Sequence, residues 1–145
     1  MAERNMDMKK CPMPVQDPDV RNKNFDEVAL GYTYDMAVNE ARRCLKCPKK
    51  TCQSACPVQI DIPAFIERVA NEDMDGAFEI LSKSTSLPAV CGRVCPQENQ
   101  CEGKCVRGIK GEAVGIGRLE RFVADYHREH CTDTPEMPEQ NGHKV

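Results

Sequence analysis

Cys44-Leu45-Lys46-Cys47-Pro48-Lys49-Lys50-Thr51-Cys52-Gln53-Ser54-Ala55-Cys56-Pro57 places four thiols in one short run, spaced Cys-x2-Cys-x4-Cys-x3-Cys-Pro. A second quartet follows downstream as Cys91-x3-Cys95-Pro96-x4-Cys101-x3-Cys105. Ten Cys in a chain of 145 residues point to disulfides, zinc or iron-sulfur clusters. A disulfide framework needs an oxidising compartment. The opening Met1-Ala2-Glu3-Arg4-Asn5-Met6 is polar and lacks the apolar stretch of a secretory signal, so a cytoplasmic location is expected.

A [4Fe-4S] cubane needs one thiolate per iron, from directions that nearly surround it. Three ligands therefore tend to come from one tight loop and the fourth from elsewhere. In bacterial two-cluster ferredoxins the run ends in Cys-Pro, and that last Cys ligates the other cluster. Cys56-Pro57 has this form. By that analogy Cys44, Cys47 and Cys52 hold a first cluster, Cys56 crosses to a second cluster held by Cys95 and Cys101, and Cys105 crosses back. Two structural zinc sites of four thiolates each are the competing reading, since they too would stabilise a small core. Only Cys44-x2-Cys47 has the common short knuckle spacing. Cys11 and Cys131 lie outside both runs and are expected to be incidental thiols. His127, His130 and His143 show no ligand spacing and read as solvent-facing or tail residues.

The length fits one domain. With 5% aromatic residues, no Trp and 30% charged residues, the apolar core should be modest, which leaves room for a metal contribution to stability. A net charge of -3 without a polybasic segment argues against nucleic acid and against an anionic membrane surface. No apolar run approaches the roughly 18 residues of a membrane span.

Residues 1–24, with Pro12, Pro14 and Pro18, read as an extended arm. Asp26, Glu27 and Gly31 predict a short helix after Asn24. Thr33 is the expected cap of a helix whose apolar positions Met36, Ala37, Val38, Ala41 and Leu45 carry Cys44 towards the core. Asp61 caps the next, with Pro63 in its first turn and Phe65, Ile66, Val69 and Ala70 on one face. Asp73 or Asp75 opens another, with Ala77, Phe78, Ile80 and Leu81 pointing inward and Ser84 to Pro88 ending it. Cys91 to Cys105 reads as a loop. A last helix is predicted from Val114 to Glu129, with Ile116, Leu119, Phe122, Val123 and Tyr126 on one face. No period-two alternation is long enough for a sheet. The expected fold is all-α, about five helices wrapped around two [4Fe-4S] clusters over residues 25–130, with 131–145 as a linker.

Four stretches carry a resemblance that spacing alone does not supply. Glu40-Ala41-Arg42-Arg43-Cys44-Leu45-Lys46-Cys47, then Cys56-Pro57-Val58-Gln59-Ile60-Asp61-Ile62-Pro63, resembles the N-terminal iron-sulfur domain of the glutamate synthase small (beta) subunit. Leu87-Pro88-Ala89-Val90-Cys91-Gly92-Arg93-Val94-Cys95-Pro96 and Gly115-Ile116-Gly117-Arg118-Leu119-Glu120-Arg121-Phe122 are similar to the same family. The domain also occurs in dihydropyrimidine dehydrogenase and in the large subunit of the electron-bifurcating NADH-dependent ferredoxin:NADP oxidoreductase. The resemblance implies an α-helical ferredoxin-like domain that relays electrons in an NADPH-dependent oxidoreductase. It also implies an FAD- and NADPH-binding domain after residue 145 and a second redox subunit, such as the glutamate synthase large subunit, as partner. At the second cluster it implies a non-cysteine fourth ligand at Glu120, with Cys91 as the competing ligand. The ordinary alternative for Glu120, between Arg118 and Arg121, is a solvated charge. Arg93, Arg107, Arg118 and Arg121 are candidates for positive charge near the clusters or plain surface residues. No residue reads as a catalytic acid, base or nucleophile.

Overall fold

The computed structural model describes residues 3–131 and residue 142. Those residues form seven α-helices: α1 (Pro18–Arg21), α2 (Tyr34–Ala41), α3 (Thr51–Ser54), α4 (Ile62–Ala70), α5 (Met74–Ser82), α6 (Pro88–Val94) and α7 (Ile116–His130). Single turns of 3-10 helix lie between α6 and α7 at Gln97–Asn99, Glu102–Lys104 and Val106–Ile109. There is no strand among the described residues, only an isolated antiparallel bridge between Val15 and Ala29, so the fold is all-α. No described helix is long and apolar enough to cross a membrane. The expected 131–145 linker lies, beyond Cys131 and Gly142, outside the described residues, as does His143.

Helix α4 is the centre of the core. Its Ile62, Phe65, Ile66 and Val69 recur at helical spacing and are buried against α2 and α5. Each such side chain removed from water stabilises the fold by about 1.5–3 kcal/mol. α7 closes the core with Ile116, Leu119 and Val123. Thr33, Asp61 and Asp73 cap α2, α4 and α5, as the sequence predicts, each accepting from a backbone N–H three residues on.

Three expectations need correction. The helix predicted after Asn24 does not form. Residues 25–31 run extended instead and pair with the arm through Gln16 N donating to Val28 O (2.9 Å) and Leu30 N donating to Pro14 O (2.8 Å). Phe25 lies wholly exposed, so a helix there would have no face to bury, and Glu27, read as a first-turn acid, binds Arg93 and Arg121 instead. Gly31 does take the left-handed conformation (φ 85°), but it ends an extended segment. The helix of this region is α1, inside the supposed arm, where Asp17 caps Asp19 N and Pro18 occupies the first turn.

Cys91 does not open a loop: it lies inside α6. Pro88, taken as the stop of α5, is the first residue of α6, a position where its missing N–H costs nothing. α2 in turn ends at Ala41, before Cys44. The chain leaves the helix there and turns into the first cysteine run.

The arm is docked on its own domain. Arg43 and Glu40 form a buried ion pair (2.6 Å) whose remaining hydrogen-bonding capacity serves backbone from two other segments. Arg43 donates to Asp7 O (3.0 Å) and Glu112 O (2.7 Å), and Glu40 accepts from Cys11 N (2.7 Å) and Gly115 N (2.8 Å). One pair thus ties the arm and the approach to α7 onto the end of α2.

Candidate metal centre

The first cysteine run turns on two residues with left-handed backbone, Lys46 (φ 51°) and Lys50 (φ 42°). Side chains seldom adopt this region without compensation. Here each lysine is tethered to α4: Lys46 pairs with Glu67 (2.5 Å) and Lys50 with Asp61 (2.7 Å). The turns bring Cys44, Cys47 and Cys52 to a single pocket walled by Ile62, Ile66, Val114 and Ile116. The fourth thiol lining it is Cys105, from the second run. Thr51 Oγ1 donates to Lys104 O (2.7 Å) and fastens the two runs together beside it. Burial pushes the Cys44 and Cys52 thiols up, Cys52 to about 11, and the neighbouring Cys105 adds to both. The Cys44 and Cys52 thiols, which resist ionisation in this apolar pocket, give up their protons when a cation takes their place, so metal uptake there is coupled to proton release.

The remaining predicted residues gather at a second place. The Cys95 thiol is held up by burial first, then by Cys91, Glu120 and Cys56. Cys101 is pushed up to about 12 by burial, then by Glu102, with Cys56 and Glu120 contributing. Cys56, Cys91, Cys95, Cys101 and Glu120 are therefore electrostatic neighbours. Glu120 is not a solvated charge. It is 6% exposed, and burial alone lifts its carboxyl to about 7. Among the described residues its Oε1 has no hydrogen-bond partner. A buried carboxylate oxygen left without a partner is costly unless something binds it.

Helices α6 and α7 cross closely to build this second place. A Cβ on Gly92 would lie 2.5 Å from the Arg121 amide nitrogen, so only glycine allows the approach that sets Cys91 and Cys95 beside Glu120. Gly92→Ala is expected to cost about 1–3 kcal/mol by overpacking. Chemical denaturation reads that loss, and unchanged stability would mean the helices can separate freely.

Sequence reasoning missed several supports. Glu102, next to Cys101, is buried, accepts from Gly117 N (3.3 Å) and pairs with Lys10 of the arm. Gln97 Nε2 donates to Cys91 O (3.2 Å), and Thr85 Oγ1 lies 3.8 Å from Cys91 Sγ. Of the four arginines, Arg93 bridges Glu27 and Asp125, Arg121 binds Ala29 O, Arg118 binds Cys11 O, and Arg107 lines the first pocket. His127 is not solvent-facing: its ring stacks on Phe78 at 3.5 Å between centroids. Cys11 sits in the arm, packed against the core, and Cys131 lies at the end of α7.

The donor set fits iron-sulfur clusters. Thiolates are the usual protein ligands of such clusters, and two groups of them, one with a partnerless carboxylate, stand apart in the fold. Among the described residues no three His, Cys, Asp or Glu side chains converge tightly enough for a single metal ion. A cubane distributes its four ligands over four irons.

Residues 21–132 match the family profile described as dihydropyrimidine dehydrogenase domain II, 4Fe-4S cluster. The chain is 39% identical over 105 residues to the NAD-dependent dihydropyrimidine dehydrogenase subunit PreT of Escherichia coli K12, covering 72% of this chain and 26% of that protein. It is 37% identical over 131 residues to the glutamate synthase [NADPH] small chain of Halomonas elongata (86% and 28%), and 36% identical over 121 residues to that of Escherichia coli K12 (83% and 25%). The chain spans 16% to 28% of the length of the curated relatives it matches. With the profile covering most of its residues and both cysteine runs inside it, the chain belongs to the 4Fe-4S domain family of dihydropyrimidine dehydrogenase domain II, an electron-transfer domain of oxidoreductases that include glutamate synthase small chains.

Proposed function

We propose that the domain carries two [4Fe-4S] clusters and forms the N-terminal part of an NADPH-dependent oxidoreductase of the glutamate synthase small-subunit type. The observation that carries the reading is the separation of the thiols into two groups, each drawing residues from both cysteine runs. Cys44, Cys47, Cys52 and Cys105 hold the first cluster; Cys56, Cys95, Cys101 and Glu120 hold the second. Each cluster, when bound, accepts and returns one electron at a time. The chain's own residues fix the ligands, and Ile62, Ile66, Val114 and Ile116 wall the first site against water. FAD and NADPH belong to a downstream domain, and a large redox subunit is the partner. The glutamate synthase assignment is favoured because those relatives align over 83–86% of the chain, against 72% for PreT.

Iron and acid-labile sulfide analysis of anaerobically purified protein tests the reading. Two clusters' worth of each is expected, and stoichiometric zinc in their place defeats it. The fourth ligand of the second site follows from two variants read by electron paramagnetic resonance. Glu120→Ala is expected to abolish or transform the second cluster's signal, whereas Cys91→Ala leaves it in place. The opposite pattern transfers the ligand role to Cys91.

A further inference from the structure

Buried charge in this protein is almost everywhere compensated. Arg43 has Glu40, Arg121 has Glu27 and Asp125, and Glu102 has Lys10. The departures among the described residues are Glu120, a proposed ligand of the second site, and Arg107. Arg107 is 8% exposed, and no ion pair among the described residues includes it. Its guanidinium donates only to backbone carbonyls of the arm, Asp7 O and, at 3.5 Å, Asn5 O. A guanidinium is always charged, and a buried charge without an opposite partner is costly. The same residue lines the pocket of Cys44, Cys47, Cys52 and Cys105.

We infer that Arg107 is the counter-charge of the first cluster site, clamped there by the carbonyls of residues 5 and 7, and that it sets the potential of that site. The inference rests on the proposed function. A cubane with four thiolates carries net negative charge, which grows by one when an electron enters, with no bond made or broken. A fixed positive charge beside it favours the reduced state and raises the potential, net charge being one of the levers a protein has on a cluster. At the second site the charged neighbours that bear on Cys95 and Cys101 are the acids Glu120 and Glu102, and Glu102 is already paired with Lys10. The arm thereby acquires a redox role, because its carbonyls hold the charge in place.

Redox titration of the full chain, anaerobic and followed by electron paramagnetic resonance, tests Arg107 as a positioning and tuning residue. Arg107→Gln, which can still donate to Asp7 O, is expected to weaken reduction of one cluster tenfold or more, about 59 mV per tenfold for one electron. Arg107→Lys, which keeps the charge, should stay within about threefold of wild type. Unmoved midpoints in Arg107→Gln, or an equal shift in Arg107→Lys, overturn the inference. If Arg107→Gln does not retain iron at the first site, Arg107→Lys must retain it, and loss from both also overturns it. Wild-type protein without iron defeats the cluster reading itself, whereas loaded protein with unmoved potentials defeats only the role of Arg107.

Discussion

Cys105→Ala is expected to remove half of the iron and sulfide, and the half removed is the one that Cys44→Ala also removes. Cys105 belongs by sequence to the second cysteine run, yet it lines the pocket of Cys44, Cys47 and Cys52. The double variant separates the possibilities. If Cys44 and Cys105 serve one cluster, losing both thiols costs no more iron than losing either, because the site is already gone. If each run keeps its own cluster, the double variant loses nearly everything. The stability consequence has the same logic. Ligands from two runs on one cluster cross-link the chain in the folded state only, so binding free energy becomes folding free energy. Loss of the first cluster should loosen the contact of Thr51 with the Lys104 carbonyl and raise amide exchange across the loop that follows α2. A double variant stripped of all iron, or a Cys105→Ala protein with full iron content, would refute the crossing.

Much of this was legible because local chemistry and tertiary structure agree. α4 announces itself through a cap at Asp61, a proline in the first turn and an apolar face at Phe65, Ile66 and Val69, and nothing in the fold overrides those signals. α7 is read within two residues for the same reason. The failures are equally physical. Pro88 has the same local signature whether it stops one helix or starts the next, and only the packing of α6 on α7 decides. Asp26 and Glu27 look like a helix start, but the destination of the Glu27 carboxylate is Arg93, far along the chain. At the candidate metal centre the Cys-Pro ending of the first run suggested the proposed crossing, and the cysteines were countable from spacing. Their supports were not, since Lys10 with Glu102, or Gly92 with the Arg121 backbone, are partnerships between segments with no mark in either alone. Glu120 needed a family resemblance to be noticed, and its burial gave the physical reason to take it seriously.

Glu40→Ala should be the most damaging single substitution outside the cysteines. Glu40 is fully buried and its two oxygens serve three groups: Oε1 accepts from Arg43 Nη1 and Gly115 N, and Oε2 accepts from Cys11 N. Alanine leaves the Arg43 guanidinium, 1% exposed, without its counter-charge, and strands two buried or half-buried amides. Removing one partner of a buried ion pair costs about 3–5 kcal/mol, a large share of the roughly 5–15 kcal/mol that holds a domain together. The midpoint of anaerobic urea unfolding is expected to fall by at least about 1 M, given slopes of about 1–3 kcal/mol per M. Glu40→Gln separates charge from hydrogen bonding, because an amide oxygen still accepts from Gly115 N but gives Arg43 no charge. It should fall between wild type and Glu40→Ala. The damage should also reach the metal, since Arg43 immediately precedes Cys44 and the pair anchors the end of α2 from which the first run departs. Iron is expected to be lost from the first site before the second in partial urea. A Glu40→Ala protein with a wild-type midpoint would mean that Arg43 finds compensation elsewhere, and the arm would then no longer depend on this pair for its place on the domain.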